Sequence, residues 1–161
     1  MGPRVSRHCV RQSQECDDGL PGVPVLSVAK ILPRKGPIMA AKMNLHAMRS
    51  IRQAGQAGGC IEAIAAATKQ GAFAISLWKD AASLKSYVHS GAHGRAAKAM
   101  ADIARGHVSR HMDWDGPLPD WSQWGELLDG GRFTPTKHGQ DVTVDEMHEG
   151  PRRKPRLPLR A

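Results

Sequence analysis

The chain has 161 residues, 40% of them hydrophobic but only 4% aromatic, with 17 glycines and 11 prolines. That length allows one domain of ordinary size or a smaller one with long tails, and no run approaches the roughly 18 apolar residues of a spanning helix. Lys and Arg outnumber Asp and Glu by 23 to 15, a formal charge of +8 that raises the question of a polyanionic partner.

Residues 1–22 carry three basic and three acidic side chains and end in the punctuation Gly19-Leu20-Pro21-Gly22, so they read as a disordered leading segment. The start MGPRVSRHCVRQSQECDDG lacks the apolar stretch of a secretory signal. Cys9, Cys16 and Cys60 are too scattered for a disulfide framework, and His8, Cys9 and Cys16 lack zinc spacing. A reduced, cytoplasmic protein is the expectation. The working domain is then 23–128, and a disordered basic tail, 129–161, follows Asp129-Gly130-Gly131.

VPVLSVAKILP (23–33) is β-branched and apolar and predicts a strand. Pro37 opens a helix in which Ile38, Ala41, Leu45 and Met48 share one face while Lys42, His46, Arg49 and Gln53 gather on another. That helix fades through Gly55, Gly58 and Gly59. CIEAIAAATKQ (60–70) suits strand or helix by composition, and its position before Gly71 favours strand; GAFAISLW (71–78), rich in Phe, Ile and Trp, predicts the clearest strand of the chain. Asp80 is a natural N-cap for a second helix, broken at Ser90-Gly91 before AHGRAAKAMADIAR. HVSRHMDW (107–114) predicts the last strand. The order β-α-β-β-α-β is the split βαβ, or ferredoxin-like, α+β arrangement: an antiparallel sheet with two helices on one face. Its other face would be bare, which two copies solve by packing sheet on sheet, so a homodimer is expected.

Chemistry-bearing patterns are few. No phosphate-cradling glycine loop and no G-x-S-x-G elbow is present. His107 and His111 lie four apart, but on a strand that spans roughly 13 Å, too far for one metal bound at about 2 Å. In strand 71–78, Phe73, Ile75 and Leu77 alternate with Ala74, Ser76 and Trp78. With the bulky set under the helices, the small set would look between the sheets. There it suits either a pocket for a flat apolar ligand, with Trp78 as its wall, or plain dimer packing. His93 falls on the apolar helix face with Ala97 and Met100. An imidazole there suits haem ligation, proton transfer or a hydrogen bond to substrate, and a half-buried histidine satisfied by backbone is the plainer alternative. Tyr87, the lone tyrosine, either orients a substrate or packs its ring. Trp114, Trp121 and Trp124 sit among acidic residues, which disfavours base stacking and favours a hydrophobic cover over the sheet or a dimer contact. The ending PRRKPRLPLRA carries five basic residues and no acid. It can touch phosphates or anionic lipid, with a solvated end as the plainer reading.

The run Ser76-Leu-Trp-Lys-Asp-Ala-Ala-Ser-Leu-Lys-Ser-Tyr87, continuing through Ser90-Gly-Ala-His93 to Met100, resembles the dimeric α+β-barrel superfamily. Within it, the likeness is to the spheroidene-monooxygenase-like and antibiotic-biosynthesis-monooxygenase-like proteins. Trp114-Asp-Gly-Pro-Leu-Pro-Asp-Trp121 is similar to the tail that closes such domains. The resemblance implies a dimer with pockets between sheet and helices, acting on small molecules with haem or with no cofactor. It places His93 at the motif histidine and Trp78 at the strand tryptophan. The expectation is a monooxygenase-like enzyme for a small or medium apolar molecule, with Trp78, Ser76, Ala74 and Tyr87 lining the pocket. His93 serves there as haem ligand or proton carrier. A non-catalytic dimeric ligand-binding or accessory module is the alternative, and nucleic-acid binding is disfavoured because Lys42 and Arg49 occupy an ordinary polar helix face.

Overall fold

The computed structural model describes residues 22–68, 70–151 and 159–160. In β1 (Val25–Pro33), Leu26, Val28, Lys30 and Leu32 alternate with Val25, Ser27, Ala29 and Ile31. Pro37 takes the first turn of α1 (Pro37–Gln56). β2 (Cys60–Thr68) and β3 (Gly71–Trp78) form a hairpin that requires glycine at 71, where φ is +147° and a Cβ would lie 2.5 Å from the Ile31 carbonyl oxygen. Asp80 caps α2 (Ala81–His89) by accepting from the Ser83 N–H at 2.7 Å. The chain breaks at extended Ser90, restarts as α3 (Gly91–Ile103) and runs directly into β4 (Ala104–Asp113). The expected β-α-β-β-α-β order is observed, with the last strand starting at Ala104 instead of His107.

All strand pairings are antiparallel, in the order β5-β4-β1-β3-β2-β6, where β5 (Arg132–Pro135) and β6 (Leu159–Arg160) are edge additions. The central order β4-β1-β3-β2 is ferredoxin-like, and the fold is α+β. On one sheet face, Val25, Ala63, Ala65 and Trp78 pack with Ile51, Ala54 and Leu84 of the helices, and Ala72 packs with Met43 and Ile103.

Three expectations are corrected. The first concerns β3, where alternation defines two faces but not which one meets the helices. Trp78, Ala74 and Ser76 face the helices, whereas Phe73, Ile75 and Leu77 face the opposite way. The second concerns that opposite face, which is not bare. Leu26, Val28, Ile64, Phe73, Ile75, Leu77 and Val108 pack against Trp124, Leu127 and Leu128 of α4 (Trp124–Leu128), with Trp114, Trp121 and Met147 beside them. Of the two readings of the tryptophan cluster, sheet cover or dimer contact, the cover is the one observed, and the bare face that gave the reason for expecting a second copy there is filled. The third concerns the tail. Residues 129–151 belong to the fold: β5 pairs with β4, the Thr136 hydroxyl donates to the Ala104 carbonyl at 2.7 Å, and α5 (Val144–His148) carries a complete capping box. A polar, proline-broken segment needs no period of its own when a finished sheet supplies the template.

Residues 1–21 and 152–158, with Cys9, Cys16 and most of the basic run, lie outside the described residues. Among the described residues, no helix is long and apolar enough to cross a membrane.

Candidate functional site

The helix break is the structural seat of the site. Extended Ser90 and left-handed Gly91 (φ +53°) turn α3 away from α2, and Gln53 of α1 fills the notch. Its Oε1 accepts from the His93 backbone N–H at 2.8 Å, while Nε2 donates to the Ser90 carbonyl and hydroxyl, each at 3.2 Å. A Cβ at Gly91 would lie 2.9 Å from the Gln53 amide, so a side chain there would have to displace the clamp as well as adopt the left-handed backbone.

Three rings follow one another from sheet to joint. Trp78, fully buried, lies 4.7 Å from Tyr87 between ring centroids at 33°, and Tyr87 lies 4.6 Å from His93 at 52°. The Trp78 indole N–H donates to the Ser76 hydroxyl at 2.8 Å, leaving that hydroxyl's own proton available. The Tyr87 hydroxyl donates to the Ser50 carbonyl at 3.1 Å. His93 Nδ1 lies 3.1 Å from the Val88 carbonyl oxygen. Since a carbonyl only accepts, the imidazole proton sits on Nδ1 and Nε2 carries the lone pair.

Burial holds His93 below the ordinary imidazole value; the Val88 bond opposes this, and the charges of His89 and His107 add to it. Burial pushes the Tyr87 phenol well above its usual value, with a smaller contribution from Cys60. At neutral pH the joint therefore presents a neutral imidazole beside a protonated phenol.

The five expected residues come together in part. Trp78, Tyr87 and His93 are a contiguous stack, Ser76 is bonded to Trp78, and Ala74 lies on the same sheet face one row further along. The register adds residues that sequence reasoning did not select. Opposite Ser76 stand Ser27 and then His111; opposite Ala74 stand Ala29 and then Ser109; opposite Ala72 stand Ile31 and then His107. Ser27, Ala29, Ala74, Ser76, His107 and Ser109 are only half-buried, so the helices leave this floor of small residues partly open. The strand at 107–114 was legible, but its cross-strand partners were not, because register depends on the pairing.

The depression at this joint does not suit a haem. The Nδ1-protonated tautomer suits an axial ligand, but a haem also needs an apolar slot beside it. The open depression of about 440 Å³ at this joint is lined by Val88, His89, Gly91, Gly94, Arg95, Ala97 and Lys98 alone, a basic helix surface without a wall from the sheet. His107 and His111 lie on β4 as expected, and among the described residues no three His, Cys, Asp or Glu side chains converge on a metal position.

Comparison of the sequence with protein-family models and with curated proteins finds no match. Comparison of the fold with solved structures does. A Pseudomonas aeruginosa protein, PA3566, matches with a TM-score of 0.52 at 14% identity, over 61% of this chain and 100% of its own. A protein of Caulobacter crescentus, named as a candidate antibiotic biosynthesis monooxygenase, matches at 0.51 and 18% identity, over 60% of this chain and 92% of its own. Rv0793 of Mycobacterium tuberculosis matches at 0.50 and 14% identity, over 60% and 97%. The resemblance read from Ser76 to Met100 therefore holds at the level of fold.

Proposed function

We propose that the protein is a monooxygenase-like enzyme that acts, without a bound cofactor, on a small or medium apolar molecule held between the helices and the sheet. The observation that carries this reading is the Trp78–Tyr87–His93 stack, which ends in a neutral imidazole beside a half-open floor of small residues. The name of the Caulobacter crescentus protein of the same fold lends support. The three scattered cysteines support a reducing, cytoplasmic setting.

The chemistry follows from the protonation state. His93 Nε2 removes a proton from a methylene C–H acidified by a neighbouring carbonyl or phenol. The resulting carbanion is itself the reductant of dioxygen, so no external electron source is required. Both C–H bonds of the methylene break; one oxygen atom becomes the carbonyl of a ketone and the other leaves as water with the two hydrogens. The Ser76 and Ser27 hydroxyls lie on the floor where a developing oxyanion can be bonded.

The test is oxygen uptake and ketone formation with a panel of such activated methylene compounds. His93→Ala should lower turnover by roughly 10²–10⁴-fold. The base must be neutral, and its pKa is lowered, so the rate should be flat through neutrality and fall only below the ordinary imidazole value. A rate that already falls above pH 7 with His93 intact, or full activity in His93→Ala, refutes the assignment. The non-catalytic reading draws on one observation: His93 is tied by Val88 and Gln53 as a residue that merely builds the joint would be. Full cellular function in both His93→Ala and Trp78→Ala would decide for it.

A further inference from the structure

The four apolar positions that first marked α1 as a helix are not its buried face. Inward, α1 buries Met43, Ile51 and Ala54. Ile38, Ala41, Leu45 and Met48 point the opposite way, with Ile38, Leu45 and Met48 exposed by 65%, 46% and 55%. An apolar strip on a helix that already has an apolar buried face calls for a partner.

The charge around the strip identifies that partner's chemistry. Lys42, Arg49 and Arg52 are exposed on the same outward half of the helix, and Lys35 stands exposed just before it. From Val23 to Ile61 the chain contains no Asp or Glu at all. The cations on this surface therefore have no acidic neighbour along the segment, and a second copy meeting it face to face would bring like charges together. The main contacts of α1 are with α3 and β2, on the side that carries Met43, Ile51 and Ala54, so the strip stands outward as a ridge. Protruding apolar side chains flanked by Lys and Arg suit a soft anionic surface into which they sink, with the cations at headgroup level.

We propose that the outward face of α1 is a docking surface for an anionic lipid bilayer. The protein lies on the membrane through Ile38, Leu45 and Met48 and is held by Lys35, Lys42, Arg49 and Arg52. β6 (Leu159–Arg160) pairs with β2 and contacts α1. This inference does not depend on the enzymatic reading. It stands if that reading fails.

The experiment is co-sedimentation of the full-length protein with vesicles of phosphatidylcholine alone or mixed with phosphatidylglycerol. Binding to the mixed vesicles only, weakened by salt, is expected. Arg49→Gln should lower the partition coefficient roughly fivefold. The double variant Leu45→Gln/Met48→Gln should lower it at least tenfold with melting temperature unchanged, since both side chains are exposed. Absence of binding to the mixed vesicles overturns the proposal. So does binding that the double variant leaves intact but Arg152→Gln/Arg153→Gln/Lys154→Gln abolishes, because the tail alone would then be the anchor. A concentration-dependent dimer in gel filtration that the double variant dissociates would assign the face to a second copy and equally overturn it.

Discussion

Among the described residues, Lys30 is the buried charged side chain. It is fully buried in the middle of β1, donates to the carbonyl oxygens of Glu146 and Glu149 at 2.5 and 2.6 Å, and lies 5.2 Å from the centre of the Phe73 ring. These carbonyls belong to the end of α5, so the ammonium satisfies a helix C-terminus that would otherwise be orphaned against the sheet. Burial lowers its pKa to about 8 from 10.5, with the Glu149 and Glu146 charges opposing the fall. The folded state then binds fewer protons than the unfolded state between those two values, and unfolding free energy should rise with pH across that window. Below about 8 the amine is charged in both states and the contribution is flat. Denaturant titrations of wild type and Lys30→Met at a series of pH values check this. The rise should vanish in the variant, and an unchanged slope would show that Lys30 is not its source. In sequence, Lys30 is one of 13 basic residues between 23 and 128, and nothing local marks it, because the acceptors lie more than a hundred positions away.

At the scale of elements, the α2–α3 joint depends on a residue from a third helix. By composition Gln53 belongs to the polar face of α1, yet that edge of the face meets the Ser90-Gly91 break and Gln53 becomes its clamp. Ala at Gly91 would be forced into the left-handed region at φ +53° and press its Cβ to 2.9 Å from the Gln53 amide. It should cost ~1–2 kcal/mol from the backbone alone, measurable by chemical denaturation. Gln53→Ala tests the coupling to the site. With the clamp gone, water reaches the imidazole, and the His93 pKa followed by NMR should move up toward the ordinary 6.5. A His93 titration identical to wild type would mean that packing of Tyr87, not Gln53, holds the ring. The site's legibility follows the same division. Trp78, Tyr87 and His93 could be found because they lie within sixteen residues of one pattern. Ser27, Ser109 and His107 could not, because only the antiparallel register brings them to the same floor.

At the scale of the molecule, the β-α-β-β-α-β core was readable because each element carries its own punctuation, such as Pro37, Asp80 and the Ser90-Gly91 break. The cover was not fully readable, because residues 129–151 take their order from the sheet they meet. That cover decides the assembly. A ferredoxin-like sheet with one bare face has reason to pair with a copy of itself, but here Trp124, Leu127 and Leu128 already fill that face, and Trp124 meets Phe73 edge-on with centroids 5.0 Å apart. Pairing through it would require the segment from Trp114 onward to leave, undoing the Lys30 bonds and the ion pair of Arg105 with Glu146 at 2.6 Å as well. The expected state in solution is thus one chain with its sheet closed by its own C-terminal third, read as monomer mass in sedimentation equilibrium without lipid. Trp124→Ala removes the largest piece of the cover and should cost about 3–5 kcal/mol. The folded fraction should then show self-association rising with protein concentration as Phe73, Ile75 and Leu77 become accessible. A wild-type dimer that the same substitution dissociates would show instead that Trp124 binds a second copy rather than its own sheet.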